Sequence, residues 1–417
     1  MPNTHATLTG LFTDIADAIR AKTGESGSIV ADQFPEAIAD IPAGTEGVPG
    51  QAVNFIDYDG TVLHSYTAAE FAALSALPEN PSHDGLVAQG WNWTLADAKS
   101  YVSYAGFLDI GQMYNTDDGS TRLYIRVETG RLSPYLGLAP NGSVKVDWGD
   151  GSAVTTVTGT STSTVKSTQH TYAAPGEYVI TLTLASGSCT LPGHTDYGSQ
   201  VLWKNDTSSG NVNRVYNGIL HHLELGDGFS VANYAFSRCW ALETVTLPRR
   251  ISGMSGYMFG YCHSLRSLTV PVNVSSISAG ACLNYCYSLK TLSLPKGLSG
   301  IRGLGNCYTL KRLATPPSAT YFDNWALESC YALSAVVIPG NVTNLYSGVF
   351  SSCYGLGYIY FVSTTPPAVS NSNAFNNVPT DCKIYVPASA LSAYKSATNY
   401  PSSGSYTYVG YGSAYTL

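Results

Sequence analysis

The stretch that decides the fold is AFSRCWALETVTLP at 235–248, which returns as MFGYCHSLRSLTVP at 258–271 and as CLNYCYSLKTLSLP at 282–295. Three looser copies follow: LGNCYTLKRLATP at 304–316, ALESCYALSAVVIP at 326–339 and VFSSCYGLGYIYF at 349–361. The repeat cysteines are 23, 24, 21, 23 and 23 residues apart. Self-similarity at a fixed period of this length predicts a solenoid.

Each repeat carries the pattern of one short strand. A leucine follows every repeat cysteine by three residues, and apolar residues usually come three and five later, as Val245 and Leu247 do after Leu242. This alternation predicts strands stacked into a parallel sheet around an apolar interior. Because each cysteine lies in its own coil and no C-x-x-C motif supports zinc, we interpret them as small buried residues. This structural ladder consists of Cys239, Cys262, Cys286, Cys307, Cys330 and Cys353.

The repeats resemble the BspA-type leucine-rich repeats of bacterial surface adhesins and phage tail proteins. The resemblance covers about 215–390. ILHHLEL at 219–225 is an incomplete first coil with Asn217 at the cysteine position, and AFNNVPTDCKIYVP at 374–387 is a degenerate last one. SALSAYKSATNY at 389–400 predicts a capping helix, which repeat arrays need at an exposed end.

A second resemblance lies upstream of the repeats. VKVDWGDGS at 144–152 and HTYAAPGEYVIT at 170–181 are similar to the polycystic-kidney-disease (PKD) immunoglobulin-like domain. This resemblance implies a non-catalytic sandwich that acts as a spacer or binds a ligand. We expect Trp148 to lie in the core. We expect Asp147 and Asp150 to form hydrogen bonds with backbone amides of the turn. Calcium bound by these two carboxylates is the alternative, although few oxygens converge in the sequence.

The N-terminal segment predicts two short helices, at 9–23 and 32–41, followed by the Pro/Gly linker IPAGTEGVPG. With little core of its own, it is expected to dock or oligomerise, or to pack on its own chain. The string LFTDIADAIRAKTG…DQFPEAIADI resembles the N-termini of structural proteins from phages and prophages of gut Firmicutes.

The stretch NFIDYDGTV at 54–62 allows two interpretations. D-x-D-G-T resembles the first motif of haloacid-dehalogenase-type phosphatases, in which the first Asp is the nucleophile. Asp59-Gly60 between two β-prone runs instead predicts a hairpin. The hairpin is favoured, because the chain after 122 reads as β and lacks the later phosphatase motifs. We predict that Asp57→Asn changes no phosphatase activity.

Composition and the absence of known motifs argue against several classes of function. Only 12% of the 417 residues are charged, the net charge is -7 and no Lys/Arg run occurs, which argues against nucleic acid. No apolar run approaches the roughly 18 residues of a membrane span, and the N-terminus lacks signal-peptide features. No G-x-S-x-G, H-E-x-x-H or P-loop is found, so neither an enzyme, a cofactor nor a metal site is expected.

The candidate ligand-binding residues are aromatic. An aromatic column is predicted because a ring follows each ladder cysteine, and one coil step separates neighbours by roughly 5 Å. Its alternative is a purely structural stack. A second candidate face consists of the outward strand positions Thr244, Thr246, Ser267, Thr269, Tyr358 and Tyr360, and the tail SSGSYTYVGYGSAYTL is either a binding loop or a β-cap. The candidate column comprises Trp240, His263, Tyr287, Tyr308, Tyr331 and Tyr354, with Tyr261 and Tyr285 beside it.

We therefore predict a mainly β, multidomain chain arranged as a rod. The expected units are a helical docking or oligomerisation segment at 1–45, a small α/β module with a hairpin at 46–118, a PKD-like β-sandwich at 119–187, BspA-type repeats at 188–390, and a cap with a Tyr-rich tail at 391–417.

The expected function is adhesion. The chain would be a virion-associated receptor-binding protein resembling a phage tail fibre, recognising a host surface receptor or glycan and contacting other virion proteins through its N-terminus. Tail fibres are often trimers, so a homotrimer is expected. The alternatives are a bacterial cell-surface adhesin and, third, a phosphatase.

Overall fold

A computed structural model of the protein describes residues 53–194, 198–199, 201–202, 217–277 and 282–412. The helices predicted at 9–23 and 32–41 and the last residues of the tail lie outside these ranges. Within them the protein is mainly β, with a C-terminal solenoid of about 8 turns, so the predicted fold class is confirmed.

Residues 53–116 form a four-stranded sheet with two helices, here called the N-terminal sheet unit. Its elements are β1 (Val53–Ile56), β2 (Val62–Tyr66), α1 (Ala68–Ala73), β3 (Leu86–Trp91), α2 (Leu95–Ala105) and β4 (Leu108–Thr116). The strand order is β2-β1-β4-β3, with β1 parallel to β4 and the other pairs antiparallel. Thr67 and Thr94 cap the helices, because each hydroxyl accepts a hydrogen bond from the backbone three residues later.

NFIDYDGTV forms the predicted hairpin. The strands β1 and β2 pair antiparallel across a five-residue loop at 57–61, longer than the two-residue turn that Asp59-Gly60 suggested. The loop is closed by Asp57 N donating to Thr61 O at 2.9 Å and by Thr61 N donating to Asp59 Oδ1 at 2.8 Å. Gly60 has φ 92°, a left-handed conformation that glycine tolerates without steric cost.

Long antiparallel strands follow. They are β5 (Thr121–Val127), β6 (Tyr135–Asp147), β7 (Thr155–Thr160), β8 (Lys166–Gln169) and β9 (Gly176–Leu191). The first part of β9 pairs with β5 and the rest with β6, which also pairs with β7 and β8. Because β9 continues to Leu191, it crosses the boundary predicted at 187/188.

The WGDG turn connects β6 to β7 as expected from its residues. Trp148 is buried, Gly149 N donates to Asp147 Oδ1 at 2.9 Å and Ser152 N donates to Asp150 Oδ1 at 3.1 Å. Hydrogen bonds from Ser152 lower the pKa of Asp150 to about 2. Both carboxylates are thus turn acceptors, and no cluster of three or more His, Cys, Asp or Glu within the described ranges could hold a metal ion.

The solenoid begins after the small hairpin of β10 (Gly193–His194) and β11 (Gly198–Ser199), and two series of strands run along it. The first series is β12 (Leu220–Glu224), β14 (Thr244–Thr246), β16 (Ser267–Thr269), β18 (Thr291–Ser293), β19 (Arg312–Leu313), β21 (Ala335–Ile338), β23 (Tyr358–Phe361), β25 (Lys383–Pro387) and β26 (Thr407–Tyr411). The second series is β13 (Phe229–Val231), β15 (Gly253–Met254), β17 (Ser276–Ile277), β20 (Tyr321–Phe322), β22 (Asn344–Leu345) and β24 (Ala368–Val369). Strand pairs between successive coils are parallel, as predicted; Val336, for example, lies opposite Ile359.

The ladder cysteines lie buried between coils and form no disulfide. From Cys262 onward, each ladder thiol donates to a backbone carbonyl of the preceding coil at 3.1–3.4 Å, the first of them to Phe236 O. Burial raises the pKa of Cys330 to about 12, so this thiol stays protonated and can donate. The cysteine side chain therefore links successive coils by a hydrogen bond. The interpretation of these residues as small and apolar did not predict this bond.

Within the described residues, the units predicted at 46–118, 119–187 and 188–390 are joined by strand pairing and by a shared core. β12 pairs with β5 on one side and with β14 on the other, so one eight-stranded sheet continues into the solenoid. The N-terminal sheet unit lies on the outer face of the first strand series. The physical reason is apolar burial, because Ala314, Val337 and Tyr360 project from that face into the core of the unit.

Polar contacts fix the N-terminal sheet unit in one register on the solenoid. Asn92 Nδ2 donates to Val270 O at 3.1 Å and to Ser293 Oγ at 2.9 Å. Trp93 Nε1 donates to Leu294 O at 2.8 Å. These bonds satisfy buried donors that would otherwise oppose docking.

The C-terminal end of the solenoid is closed by β26, which pairs in parallel with β25, and by α3 (Leu391–Lys395), a shorter form of the predicted capping helix. Tyrosine hydroxyls in this region donate to backbone carbonyls, and the residues concerned are Tyr394, Tyr400, Tyr406, Tyr408 and Tyr411. Of the two interpretations of the tail, its described part up to Gly412 therefore forms the β-cap.

A stability prediction arises at the first coil, where Asn217 occupies the ladder position. It is 1% exposed, and neither atom of its amide group has a hydrogen-bond partner among the described residues. A buried unpaired polar group costs roughly 1–3 kcal/mol. We expect Asn217→Cys to raise the free energy of unfolding by about 1 kcal/mol, measured by urea denaturation under reducing conditions.

Asn217→Asp provides the matched control, because it keeps the side-chain shape but buries a charge. It should lower the stability. If Asn217→Cys were as destabilising as Asn217→Asp, the amide would have to make bonds that the described residues lack.

Candidate functional site

The turns of the solenoid place aromatic residues at left-handed backbone positions. The residue before every ladder cysteine, and the residue five before four of them, has a positive φ. For non-glycine residues this conformation costs roughly 1–2 kcal/mol, and Asn is usually enriched there. Five of these positions are nevertheless aromatic, with φ of 53–64°: Tyr234, Tyr257, Tyr261, Tyr285 and Trp325. Sequence reasoning missed Tyr234, Tyr257 and Trp325, although their fixed offset of five from a cysteine could have identified them.

The rings that follow the ladder cysteines form a continuous column. Neighbouring ring centroids are 4.6, 4.6, 4.5 and 5.4 Å apart, and only the last pair is tilted, by 41°. The column consists of His263, Tyr287, Tyr308, Tyr331 and Tyr354. Trp240, also predicted for this column, packs against the preceding coil, since a Cβ added at Gly218 would lie 2.6 Å from its Cε2 atom.

A second, shorter column stands beside the first. Tyr261 and Tyr285 stack at 4.5 Å, and Tyr285 meets Tyr287 edge to face at 6.2 Å. The Arg238 guanidinium lies 4.7 Å above the Tyr261 ring. We call the two columns together the turn edge.

Stacking decides what the turn edge can offer a ligand. In a parallel stack at about 4.6 Å the ring faces are covered by their neighbours, so ring edges and hydroxyls point outward. Burial raises the pKa of Tyr287 and of Tyr331, so both hydroxyls remain protonated donors at neutral pH. The edge is thus a rigid, regularly spaced row of uncharged hydrogen-bonding groups.

His263 makes the column sensitive to pH. Burial, with a further contribution from Arg238, lowers the pKa of His263 to about 4. The unfolded chain takes up this proton near pH 6.5, so the native state is favoured above that pH and loses the advantage as the pH falls towards 4. Between pH 6.5 and 4, the free energy of unfolding of the wild type should therefore fall through His263. We expect His263→Tyr, which introduces the ring found in the next coils, to make this fall about 1–2 kcal/mol smaller.

Denaturation midpoints measured across this pH range check the expectation, and His64→Tyr is the control at an exposed ring. Equal pH slopes in the wild type and His263→Tyr would contradict it.

Most of the second candidate face is covered by the N-terminal sheet unit. Four of its residues, Thr246, Ser267, Thr269 and Tyr360, are 1–7% exposed. The close approach is clearest at Gly111, where an added Cβ would lie 2.6 Å from Thr269 Cγ2. These four residues make contacts within the chain, whereas Tyr358, at the far end of the same strand series, is 40% exposed.

Asp57, the nucleophile position of the phosphatase motif, is a buried hydrogen-bond acceptor. Its Oδ1 accepts from Tyr114 Oη at 2.7 Å and from Tyr58 N at 2.8 Å, and its Oδ2 lies 2.7 Å from His83 Nε2. Glu224, in the acidic stretch LELGDGFS at 223–230, pairs with Arg122 at 3.2 Å. Both oxygens of Asp57 are thus occupied in holding the hairpin loop.

None of the described helices combines the length and the hydropathy that crossing a bilayer requires.

Comparison with known proteins identifies the repeats. Residues 216–304 and 302–400 match the BspA type leucine rich repeat region, in six copies. The C-terminal part of the chain is therefore an array of BspA-type leucine-rich repeats. None of the curated proteins compared with the chain matches it.

Three solved structures are similar in part. A leucine-rich repeat protein from Bacteroides ovatus is 21% identical over 37% of this chain, with a TM-score of 0.29, and the match covers only 46% of that chain. The leucine-rich repeat protein of T. pallidum is 19% identical, covering 46% of this chain and 84% of that one, at a TM-score of 0.29. A leucine-rich cell surface protein from Faecalibacterium prausnitzii is 16% identical, covering 54% and 92%, at a TM-score of 0.24.

Proposed function

We propose that the protein is an adhesion protein that binds a ligand on a bacterial surface through the turn edge. The observation that carries this proposal is the row of rings held along one side of the solenoid. The N-terminal sheet unit occupies much of the outer face of the first strand series, whereas the turn edge is a regular row of rings along the coils.

The chemistry of the turn edge favours an extended and uncharged ligand. Tyrosine has few rotatable bonds, so an ordered tyrosine row loses little conformational entropy on binding. Its hydroxyls both donate and accept, which suits the hydroxyl groups of a surface glycan and the backbone of a receptor loop equally.

The setting we propose is a virion, in which the protein acts as a phage tail fibre-like receptor-binding component. The PKD-like region would be its spacer, and the N-terminus would contact other virion proteins. The protein itself would form a homotrimer. The resemblance of the N-terminal string to phage structural proteins supports this setting. A bacterial cell-surface adhesin is the second candidate, supported by the repeat type, which is typical of bacterial surface proteins. We propose no enzymatic role, because Asp57 is committed to the hairpin loop.

Binding of the full chain to whole cells of gut Firmicutes tests the adhesion proposal. The full chain is needed because a fragment starting at 200 would break the sheet between β5 and β12. The variant changes Tyr287, Tyr308 and Tyr331 to Phe together, which keeps the stack and removes its hydroxyls. We expect saturable binding by the wild type and at least tenfold weaker binding by the variant.

Tyr358→Phe is the matched control, since this tyrosine is exposed on another face. Binding that the triple variant retains in full, or no binding to any strain, would oppose a role for the turn edge. Antibody labelling of purified phage particles and of cells then separates the virion from the bacterial surface.

A further inference from the structure

Trp325 is an exposed tryptophan in a fixed orientation. It is 41% exposed, the more exposed of the two aromatic residues at this corner of the solenoid, where Tyr346 is 37% exposed. Its ring lies against the backbone of the next coil, because a Cβ added at Gly348 would be 2.6 Å from the indole Cδ2 atom. The ring therefore presents a flat apolar surface to solvent in a fixed position.

Backbone hydrogen bonds bring further aromatic and polar residues near Trp325, since Trp325 N donates to Ser347 O at 2.8 Å and Tyr346 N donates to Phe322 O at 3.0 Å. Tyr346 packs edge to face with Tyr321 at 6.3 Å. The Arg302 guanidinium lies 4.8 Å above the Tyr321 ring, and its Nε atom is 3.4 Å from Asp323 Oδ2. The Trp325 patch is the set of five residues Arg302, Tyr321, Asp323, Trp325 and Tyr346. They lie in neighbouring coils beside the second strand series and outside the turn edge.

The polar groups of the patch are paired but not saturated. Asp323 is 31% exposed in its side chain, and Oδ1 accepts one hydrogen bond, from Asn324 N at 2.8 Å. A carboxylate offers about four acceptor positions, so Asp323 can accept further bonds from a ligand. Because Arg302 balances its charge, the patch has no net charge that would favour an ionic ligand.

We infer that the Trp325 patch is a binding site for a neutral saccharide. One pyranose ring would place its apolar C–H face on the exposed indole, while vicinal hydroxyls donate to Asp323 and contact the Tyr346 hydroxyl. The indole ring supplies a flat apolar surface and the carboxylate fixes the orientation of the sugar, as in small-molecule sites with few, well-placed polar groups. This site is separate from the turn edge and does not depend on the adhesion proposed for it.

The test is a fluorine NMR titration of the full chain labelled with 5-fluorotryptophan. The chain has 6 tryptophans, and Trp325→Phe assigns the Trp325 signal. The probes are the methyl glycosides of glucose, galactose, mannose, rhamnose, N-acetylglucosamine and N-acetylgalactosamine, with methyl glucuronide as the charged comparison. We expect at least one neutral sugar to shift the Trp325 signal saturably at millimolar concentration while the buried Trp148 signal stays in place.

Two variants make the result specific. Gly348→Ala keeps the indole but displaces it, and Asp323→Ala removes the hydrogen-bond acceptor. Each substitution should lower the affinity for the sugar at least tenfold. Tyr358→Ala, at an exposed ring on another face, should leave the affinity unchanged, as should the triple Phe variant of the turn edge. The inference is overturned if no neutral sugar shifts the Trp325 signal, if the glucuronide binds as well, or if Gly348→Ala retains full affinity.

Discussion

Arg312→Met is expected to detach the N-terminal sheet unit from the solenoid. Arg312 Nε donates to Asp109 Oδ2 at 3.0 Å, a second guanidinium nitrogen also contacts this carboxylate, and the Asp109 side chain is 8% exposed. Breaking a buried pair from one side leaves an uncompensated charge, which costs about 3–5 kcal/mol. Since Arg312 keeps some exposure, we expect the lower end of this range, about 3 kcal/mol.

Hydrogen exchange of amides in β1 and β4, with and without the substitution, measures this loss where it occurs. The double variant Asp109→Asn with Arg312→Met should recover part of the stability, because it removes the stranded charge. Arg266→Met is the matched control, since Arg266 and Glu243 pair in the open, with side chains 58% and 37% exposed. Exposed pairs contribute about 0–1 kcal/mol. Equal effects of Arg312→Met and Arg266→Met would contradict the prediction.

Gly111→Ala is expected to have an effect of similar size by a steric route. The added Cβ would lie 2.6 Å from Thr269 Cγ2 and 2.8 Å from Thr269 Cβ, closer than real side chains approach. The strand β4 would have to move away from β16. Overpacking of this kind costs roughly 1–3 kcal/mol, and here the neighbour is a β-branched residue that cannot swing aside.

Thr269→Gly on the Gly111→Ala background should restore most of the lost stability, and a double-mutant cycle measures the coupling. Gly297→Ala is the control, because its added Cβ would meet no atom within 4 Å. If the two substitutions had additive effects on thermal denaturation, there would be no steric clash between residues 111 and 269, and the prediction would be contradicted.

The sequence was most informative where the structural cause is local. The ladder cysteines and the leucines three residues later recur in six successive coils, so their period alone predicts stacked parallel strands. The hairpin at Asp59-Gly60 and the turn at Trp148 are also local. Only the loop length was wrong, because Asp57 and Thr61 extend it through their own backbone bonds.

The docking of the N-terminal sheet unit had no local signal. Asn92 and Ser293 belong to residue types that are mostly exposed in proteins, yet they hydrogen-bond to each other in a buried interface. Small side chains at Ser267 and Thr269 suggested an open face, whereas they allow close approach of β4. Within the candidate site, the column after the cysteines follows from register. Tyr234 and Trp325 could have been located by their offset of five from a cysteine, but their left-handed φ is not indicated by their residue types.

The interface between the N-terminal sheet unit and the solenoid also dictates an order of events during synthesis. Asn92 finds its partner Ser293 201 residues further along the chain. At about 5–20 residues per second, the ribosome needs roughly 10–40 s to deliver that partner. During this interval the apolar surface that later receives Ala314, Val337 and Tyr360 is exposed on the nascent chain. Completion of the N-terminal sheet unit therefore waits for coils that are synthesised later, and chaperone binding in that interval would protect the chain from aggregation.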